Sequence, residues 1–163
     1  MTRIHERLTT DLPIEATYDF IANFANSHAW DPGTAWSRRT GTGDGPIAVG
    51  TTFELGVRMG GRVAPMTYRI THFERPSRVV LEGEGANVKA VDDIRFTAAP
   101  DGTIVDYTAD IRLEGWMRLV RPFVGGTLAR IGRDAAAGMT RTLIARAKAT
   151  QNGLPVGVAE VVG

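Results

Sequence analysis

Three polar residues, Asp92, Tyr68 and Tyr107, occupy positions where the surrounding sequence alternates apolar residues in the manner of a covered strand face. A carboxylate on such a face costs free energy unless it is paired, hydrated or protonated. A carboxyl group held there is a candidate general base, or a hydrogen-bond acceptor for a ligand hydroxyl. The tyrosine hydroxyls are candidates for orienting the same ligand. We therefore predict a site built on these residues, with Asp92 as its candidate catalytic group.

Each candidate also has a structural interpretation that the sequence leaves open. A β-bulge at residues 91–93 would turn Asp92 outward, and an arginine partner would neutralise it. Both tyrosines can pack in a core with one satisfied hydroxyl. Alternation places His72 on the same covered face as Tyr68, but it stands where its segment ends, which favours an exposed rim position over a catalytic one. His28, beside Trp30, favours helix–loop packing over a place at a cavity mouth.

The sequence lacks the residue patterns of metal, nucleotide and hydrolase chemistry. Its three histidines are scattered and it has no cysteine, so no HExxH or thiolate ligand spacing is present. The run GTGDG at 41–45 has glycines at alternate positions, but no βαβ unit follows, which favours a hairpin turn. No GxSxG nucleophile elbow is found. We therefore expect neither a metal site nor a cofactor.

The length of the chain favours a single domain, and its charge balance predicts no strong electrostatic field at the surface. At 163 residues the chain is most simply a single domain over residues 1–150 with a C-terminal tail at 151–163. Its 19 basic and 18 acidic residues give a net charge of +1, which predicts no nucleic-acid partner. No apolar run approaches the ~18 residues of a membrane span, and no signal peptide is recognised, so we expect a cytoplasmic protein. We expect it to be a monomer or a homodimer.

The elements that must position the candidate residues are a strand, two short helices, six further strands and one long helix. Alternation at 3–12 predicts the first strand, and helical spacing at 14–25 and 27–30 predicts the short helices. The six β segments lie at about 35–42, 51–59, 62–74, 78–85, 88–98 and 103–114. Their links are too short for helical crossovers, so the segments should be antiparallel neighbours in a meander.

Residues 116–150 have apolar side chains at every third or fourth position, a spacing that predicts one long helix. The strands have one charged and one apolar face, and only this helix is large and apolar enough to cover the second. Gly153 should cap its end. The small residues in the range 125–138 predict a cavity wall with unfilled volume and a flexible lid, and Pro122 predicts a kink or a fresh helix start. Its basic residues favour a solvated outer face, with an acidic partner as the alternative.

The order of the elements and several short motifs together resemble a known superfamily. The motifs are Pro13-Ile14-Glu15-Ala16-Thr17, Trp30-Asp31-Pro32, Gly50-Thr51-Thr52-Phe53, Phe73-Glu74-Arg75-Pro76-Ser77-Arg78 and Asp101-Gly102-Thr103. Over about residues 3–150 the chain resembles the START-like helix-grip superfamily (SRPBCC), which includes polyketide cyclases/dehydrases and lipid-transport proteins. The resemblance implies an α+β fold, in which a curved seven-stranded antiparallel sheet wraps around a long C-terminal helix and two short helices lie between strands 1 and 2.

The resemblance also implies a cavity between the sheet and the helix that binds a hydrophobic or amphipathic small molecule, such as a lipid or polyketide, as carrier or sensor. A minority of members catalyse cyclisation or dehydration, so a polyketide aromatase/cyclase or dehydratase using a cavity Asp or Tyr for proton transfer is the alternative. A partner-binding module using the basic helix face or the apolar tail is a third hypothesis. The residues assigned to ligand binding are Trp30, Phe53, Leu55, Val57, Met66, Tyr68, Ile70, Leu81, Ile94, Tyr107, Ala109, Ile111, Leu128, Ile131, Ala135 and Met139.

Overall fold

The structure, a computed structural model, describes residues 1–41 and 45–153, and for residues 120–125 the backbone alone. Its elements are β1 Thr2–Thr10, α1 Ile14–Ala22, a 3₁₀ turn at Phe24–Asn26, α2 Ser27–Trp30, β2 Thr34–Thr40, β3 Thr52–Met59, β4 Arg62–Glu74, β5 Arg78–Gly85, β6 Val88–Ala99, β7 Gly102–Leu113 and α3 Met117–Gln151. The predicted order of elements is confirmed. Residues 42–44 of the GTGDG run and residues 154–163 of the predicted tail lie outside the described residues.

The seven strands form one antiparallel sheet in the order β1-β7-β6-β5-β4-β3-β2. From β2 to β7 each strand pairs with the next along the chain, because the short links leave no length for a crossover. β1 pairs with β7, so the first strand of the chain lies beside the last. The predicted α+β helix-grip architecture, with its curved seven-stranded sheet, two short helices and long terminal helix, is therefore confirmed.

The register of β4 shifts between Ile70 and His72, where the pairing with β5 is irregular. Such an irregularity reverses which face the following side chains point to. Phe73 consequently packs against the core, with its ring centroid 5.4 Å from that of Tyr18 on α1. The predicted place of His72 on the covered face is wrong, and its half-exposed side chain lies 3.4 Å from Glu74. This agrees with the rim position that the sequence favoured.

Helix α1 covers one end of the sheet with its apolar side. Pro13 stands at its N-cap, where the missing proline N–H costs nothing, and the Thr17 hydroxyl donates to the Pro13 carbonyl at 3.0 Å. Tyr18 is fully buried and packs edge-on against Phe96 at 5.0 Å. Its hydroxyl donates to the Arg78 carbonyl at 3.2 Å. These contacts hold α1 on the end of the sheet that it covers.

Helix α3 runs without interruption through Pro122, so the predicted fresh start there is not observed. Its second half carries the buried side chains Met139, Leu143 and Ala147. In the first half Leu119 is 80% exposed and Ile131 is 38% exposed. The helix ends where the sequence predicts, with Gly153 in the left-handed region at φ +67°. Among the described side chains of α3, the fully buried large apolar ones therefore lie in the second half.

Two glycines of α3 allow close approach of neighbouring elements. A Cβ at Gly132 would lie 2.3 Å from Ile4 Cγ2 of β1, and a Cβ at Gly138 would lie 2.0 Å from the Trp30 carbonyl oxygen. The prediction that the small residues at 125–138 leave unfilled volume is wrong at these two positions, because the space is taken by β1 and α2. Gly126, in contrast, has no atom of the described residues within 4 Å of its ideal Cβ.

The convex face of the sheet is charged, as the alternation predicts. Arg3 donates to Asp110 through two bonds of 2.8 Å, and Arg78 donates to Asp93 through two bonds of 2.9 Å. Exposed ion pairs of this kind contribute little stability, so the concave face carries most of the packing energy. Among the described helices, none is both long enough and apolar enough to cross a membrane.

Candidate functional site

Asp92 lies in the middle of the concave face and is 3% exposed. β6 pairs with β5 and β7 without a register shift around this residue, so the bulge interpretation is wrong. The arginine interpretation is wrong as well, because the partner of Asp92 is Tyr107. The Tyr107 hydroxyl donates to Asp92 Oδ1 at 2.5 Å. Tyr107 lies on β7 diagonally across from Asp92, and this spacing lets a long side chain reach its neighbour.

The environment of Asp92 favours its neutral form. Burial raises the pKa of this carboxyl to about 7, the hydrogen bond from Tyr107 opposes the rise, and the negative charge of Asp31 adds to it. A carboxyl group with a pKa near neutrality can both accept and return a proton at physiological pH. The predicted candidate therefore has the protonation behaviour expected of an acid or base.

The two tyrosines stay protonated, and Tyr107 donates to Asp92. Burial raises the pKa of Tyr68 well above its ordinary value, and the charges of Asp92 and Asp31 raise it further. Burial also raises the pKa of Tyr107 well above its ordinary value, with Asp92 adding to the effect. The Tyr68 ring lies across β5 at Gly83, where an added Cβ would be 2.5 Å from the ring. Gly83 therefore makes room for Tyr68 to lean toward β6 and Asp92.

A second carboxylate, Asp31, stands at the edge of this cluster at the end of α2. Its Oδ1 accepts from the Gly33 backbone N–H at 2.8 Å, and its Oδ2 accepts from the Thr34 hydroxyl at 2.8 Å. These bonds shape the turn that leads into β2. Burial raises the pKa of Asp31, and the two hydrogen bonds oppose the rise. In the sequence, Asp31 is recognised only as part of a turn motif. Its position directly after Trp30, a predicted ligand-binding residue, was the one signal that could have placed it near the site.

A small cavity of about 10 Å³ lies between the concave face and α3. This is room for about one water molecule. Its walls are the side chains of Leu8, Trp30, Tyr107, Ala135, Ala136 and Met139. Trp30 is 4% exposed, and its Nε1 is buried without a hydrogen-bond partner in the described part of the chain. The site therefore combines one apolar void, the Asp92–Tyr107 pair and one unused donor.

The residues predicted to bind the ligand divide according to their place in the structure. Trp30, Tyr107, Ala135 and Met139 line the cavity. Buried in the core around it are Phe53, Leu55, Met66, Tyr68, Ile70, Leu81, Ile94 and Ala109, whereas Val57, Ile111 and Leu128 are half-buried and Ile131 is exposed. Leu8 and Ala136 line the cavity without having been predicted, although Leu8 belongs to the recognised apolar face of β1.

Two further features bear on where a ligand or ion could be held. An open groove of about 270 Å³ lies beside α1, lined among others by Tyr18, Ile47 and Phe73, and it contains none of the residues predicted to bind ligand. The ion pair of Asp19 and Arg75, with two bonds of 2.7 Å, stands at its side. Within residues 1–41 and 45–153 there is no group of three or more His, Asp or Glu side chains placed to hold a metal ion.

Solved structures with the same fold share little sequence with this chain. The protein TTHA0849 of Thermus thermophilus superposes with a TM-score of 0.72 at 13% identity, covering 88% of this chain and 98% of that one. The Zhui aromatase/cyclase of a Streptomyces species gives 0.71 at 12% identity, covering 91% and 94%. A START superfamily protein of Mycobacterium smegmatis gives 0.70 at 11% identity, covering 92% and 99%. At these identities the likeness establishes the helix-grip fold.

A comparison with curated protein sequences finds no match. The sequence model of one family, described as polyketide cyclase / dehydrase and lipid transport, matches residues 1–144. Family and fold together indicate a START-type protein that binds hydrophobic ligands. Since the match spans most of the chain, the protein belongs to the polyketide cyclase/dehydrase and lipid transport family.

Proposed function

We propose that this protein binds one hydrophobic or amphipathic small molecule between the sheet and α3, as a carrier or sensor of a lipid or polyketide-like compound. The observation that carries the proposal is the buried carboxyl of Asp92 on an apolar face, bonded to the half-buried Tyr107, whose side chain lines the void beneath α3. Sites for small molecules are commonly apolar, with a few convergent polar groups that fix the ligand's orientation. A core that served packing alone would have no use for this pair.

The void is smaller than a lipid, so binding requires that α3 and the sheet separate. The packing of α3 supports such a movement in its first half. Among the side chains that the structure describes, Leu119 and Ile131 are exposed in the first half, whereas Met139 and Leu143 are buried in the second half. Segments that bury few apolar side chains open at low free-energy cost. A ligand would therefore enter beneath the first half of α3 while the second half keeps the fold closed.

Two alanine positions on α3 provide a matched test of this location. Ala135 lines the cavity, whereas Ala137 is exposed two residues later. We expect Ala135→Phe to fill the void and to abolish the fluorescence gain of anilinonaphthalene sulfonate, while Ala137→Phe leaves it unchanged. Circular dichroism of both variants checks that they are folded. Equal binding by the wild type and Ala135→Phe would refute a ligand site at this place.

The nature of the natural ligand calls for a separate measurement. Native mass spectrometry of the protein as purified, followed by solvent extraction, would detect a co-purifying lipid or polyketide as an added mass. The Ala135→Phe variant is the control, because a ligand of the cavity should be lost from it. An added mass that persists in Ala135→Phe would belong to another surface.

The pKa of Asp92 favours one further candidate function, an enzyme that moves a proton on a bound substrate. A carboxyl group with a pKa of about 7 beside a tyrosine donor has the properties of a general acid or base. Kemp elimination of a nitrobenzisoxazole tests this directly, because any positioned base in an apolar cavity accelerates it. Turnover that disappears in Asp92→Asn while probe binding is kept would support the enzyme. Turnover that is unchanged in Asp92→Asn would remove Asp92 from the mechanism.

A further inference from the structure

The end of the sheet opposite α1 exposes two large apolar side chains where α3 begins. β7 ends there at Leu113, and the chain enters α3 three residues later. Trp116, at the N-cap of α3, is 64% exposed, and Leu119 in the first turn is 80% exposed. Residues three apart on a helix are neighbours on one face. Trp116 and Leu119 therefore form one outward-facing pair, called here the apolar patch.

The apolar patch adds little to the packing of the domain. Met117, between its two members, packs against the core, whereas Trp116 and Leu119 face away from it. Leu119 is the most exposed of the large apolar residues that the structure describes. At the same end of the sheet Val63 is 47% exposed at the start of β4. Apolar side chains exposed together at one end of a domain indicate a contact surface.

Exposed arginines accompany the apolar patch at this end of the sheet. Arg118 belongs to the first turn of α3, Arg112 precedes the last residue of β7, and Arg62 begins β4. Because neighbouring strands are antiparallel, the end of β7 and the start of β4 lie at the same end of the sheet. None of the three arginines has an ion-pair partner among the described residues.

The acidic groups at this end leave the arginines uncompensated. Glu84 and Glu114 lie 3.6 Å and 3.9 Å from the ammonium group of Lys89, which offsets part of their charge. The end of the sheet opposite α1 therefore combines exposed apolar side chains with positive charge. A second copy of this chain is a poor partner for it, because a symmetric contact would bring like charges together.

We propose that this end of the protein docks on an anionic lipid membrane, with Trp116 and Leu119 at the membrane interface and the arginines at the headgroups. Tryptophan is enriched at membrane interfaces, because its ring is apolar and its N–H is polar. Basic residues beside exposed apolar ones are typical of segments that lie on anionic bilayers. Such a bilayer supplies both the negative charge and the hydrocarbon that this surface lacks.

The inference goes beyond the proposed function and does not depend on it. The apolar patch lies on the first half of α3, the half beneath which a ligand would enter. Docking there would let an apolar ligand pass between the bilayer and the protein without crossing water. Membrane binding itself is measured without any ligand of the cavity, so the two proposals can fail separately.

The test is sedimentation of the protein with vesicles of phosphatidylcholine alone and of equal parts of phosphatidylcholine and phosphatidylserine. We expect the wild type to bind the mixed vesicles more tightly than those of phosphatidylcholine. Leu119→Ser should weaken binding roughly tenfold, because one large apolar side chain no longer leaves water. Arg118→Gln should weaken binding roughly fivefold, and on the mixed vesicles alone. Ile144→Ser, at a side chain 42% exposed on the second half of α3, is the matched control and should bind as the wild type does.

Tryptophan fluorescence gives an independent readout of docking. Trp116 leaves water when the protein docks, so the emission should shift to shorter wavelength on addition of mixed vesicles. The shift should persist in Trp36→Phe, which removes an indole that is 39% exposed on β2, and disappear in Trp116→Phe. Circular dichroism checks that the variants are folded, as expected for exposed positions.

Three results would overturn the inference. The first is a wild type that does not sediment with the mixed vesicles, whatever its cavity binds. The second is equal binding by Leu119→Ser and Ile144→Ser, because the contact would then not involve the apolar patch. The third is a wild type that elutes from gel filtration as a dimer while Leu119→Ser elutes as a monomer. In that case the apolar patch is an interface between copies of the chain.

Discussion

Replacing Asp92 with asparagine should stabilise the protein at neutral pH. Burial raises the pKa of Asp92 to about 7, against an ordinary value of 3.8. This difference of about 3 pH units corresponds to about 4 kcal/mol at ~1.36 kcal/mol per unit. The folded protein must either hold a proton on Asp92 or bury its charge. Asparagine has the same shape, accepts the Tyr107 hydrogen bond through its own oxygen, and carries no charge to bury.

The sign of the pH dependence follows from which state binds the proton. Between about pH 4 and pH 7 the unfolded chain has lost this proton while the folded chain keeps it, so the stability that Asp92 contributes falls as pH rises. The contribution of Asp92 to stability is fully present at pH values below its pKa in the unfolded state, and it is lost as pH rises through its pKa in the folded state. Asparagine does not titrate. The stability gain of Asp92→Asn should therefore grow from near zero at about pH 4 to about 4 kcal/mol at about pH 8.

Urea unfolding of the wild type and Asp92→Asn across this pH range measures the gain as a difference. Tyr68 and Tyr107 stay protonated over this pH range in both proteins, because burial raises their pKa values well above the ordinary value. The repulsion between Asp31 and Asp92 is lost in Asp92→Asn and is part of the expected gain. Asp93→Asn is the matched control. Although partial burial raises its pKa, Arg78 holds the pKa of Asp93 below its usual value, so this variant should lose stability at neutral pH. A gain for Asp92→Asn that is the same at all pH values would refute the buried-carboxyl reasoning.

Two further predictions concern glycines that set the shape of the site. Gly138→Ala should destabilise the fold by ~1–3 kcal/mol, because its Cβ would overlap the Trp30 carbonyl. Gly126→Ala on the same helix should instead stabilise the fold by up to ~1 kcal/mol. Thermal unfolding measures both changes, and similar effects of the two variants would contradict the contact at Gly138. Gly83→Ala should push the Tyr68 ring away from β5, which near-ultraviolet circular dichroism and weaker binding of anilinonaphthalene sulfonate would report; unchanged spectra and affinity would contradict the close contact.

The sheet was predictable from sequence because each strand is a local pattern between short links. β4 and β5 begin and end at the predicted residues, and the remaining strand boundaries differ by at most two positions. The face assignment failed at His72, because a register shift has no local signature that alternation can reveal. Helix α3 was equally predictable from the sequence, and Gly153 caps its end at the predicted position.

The site was only half predictable, because its geometry depends on contacts between distant segments. Alternation placed Asp92 on the covered face, but sequence could not choose between a bulge, an arginine and Tyr107 as the reason it is tolerated. The glycines of α3 have a known cost in a helix, and the sequence carries no information on what approaches them. Gly138 meets α2 across more than a hundred residues of chain. The void that these glycines suggested is therefore much smaller than predicted.

Two features near the cavity cost stability: Asp92 is bonded to the lining residue Tyr107, and Trp30 is itself a lining residue. The raised pKa of Asp92 implies a cost to the folded protein at neutral pH that is a large part of the ~5–15 kcal/mol stability of a typical domain. Trp30 buries a donor that has no partner among the described residues, in edge-on contact with the tyrosine that serves Asp92. A leucine at either position would avoid the cost. Buried carboxyl groups and unpaired donors are tolerated mainly at functional sites, where they serve a ligand and not the fold. The presence of both near one void is therefore better explained by ligand binding than by packing.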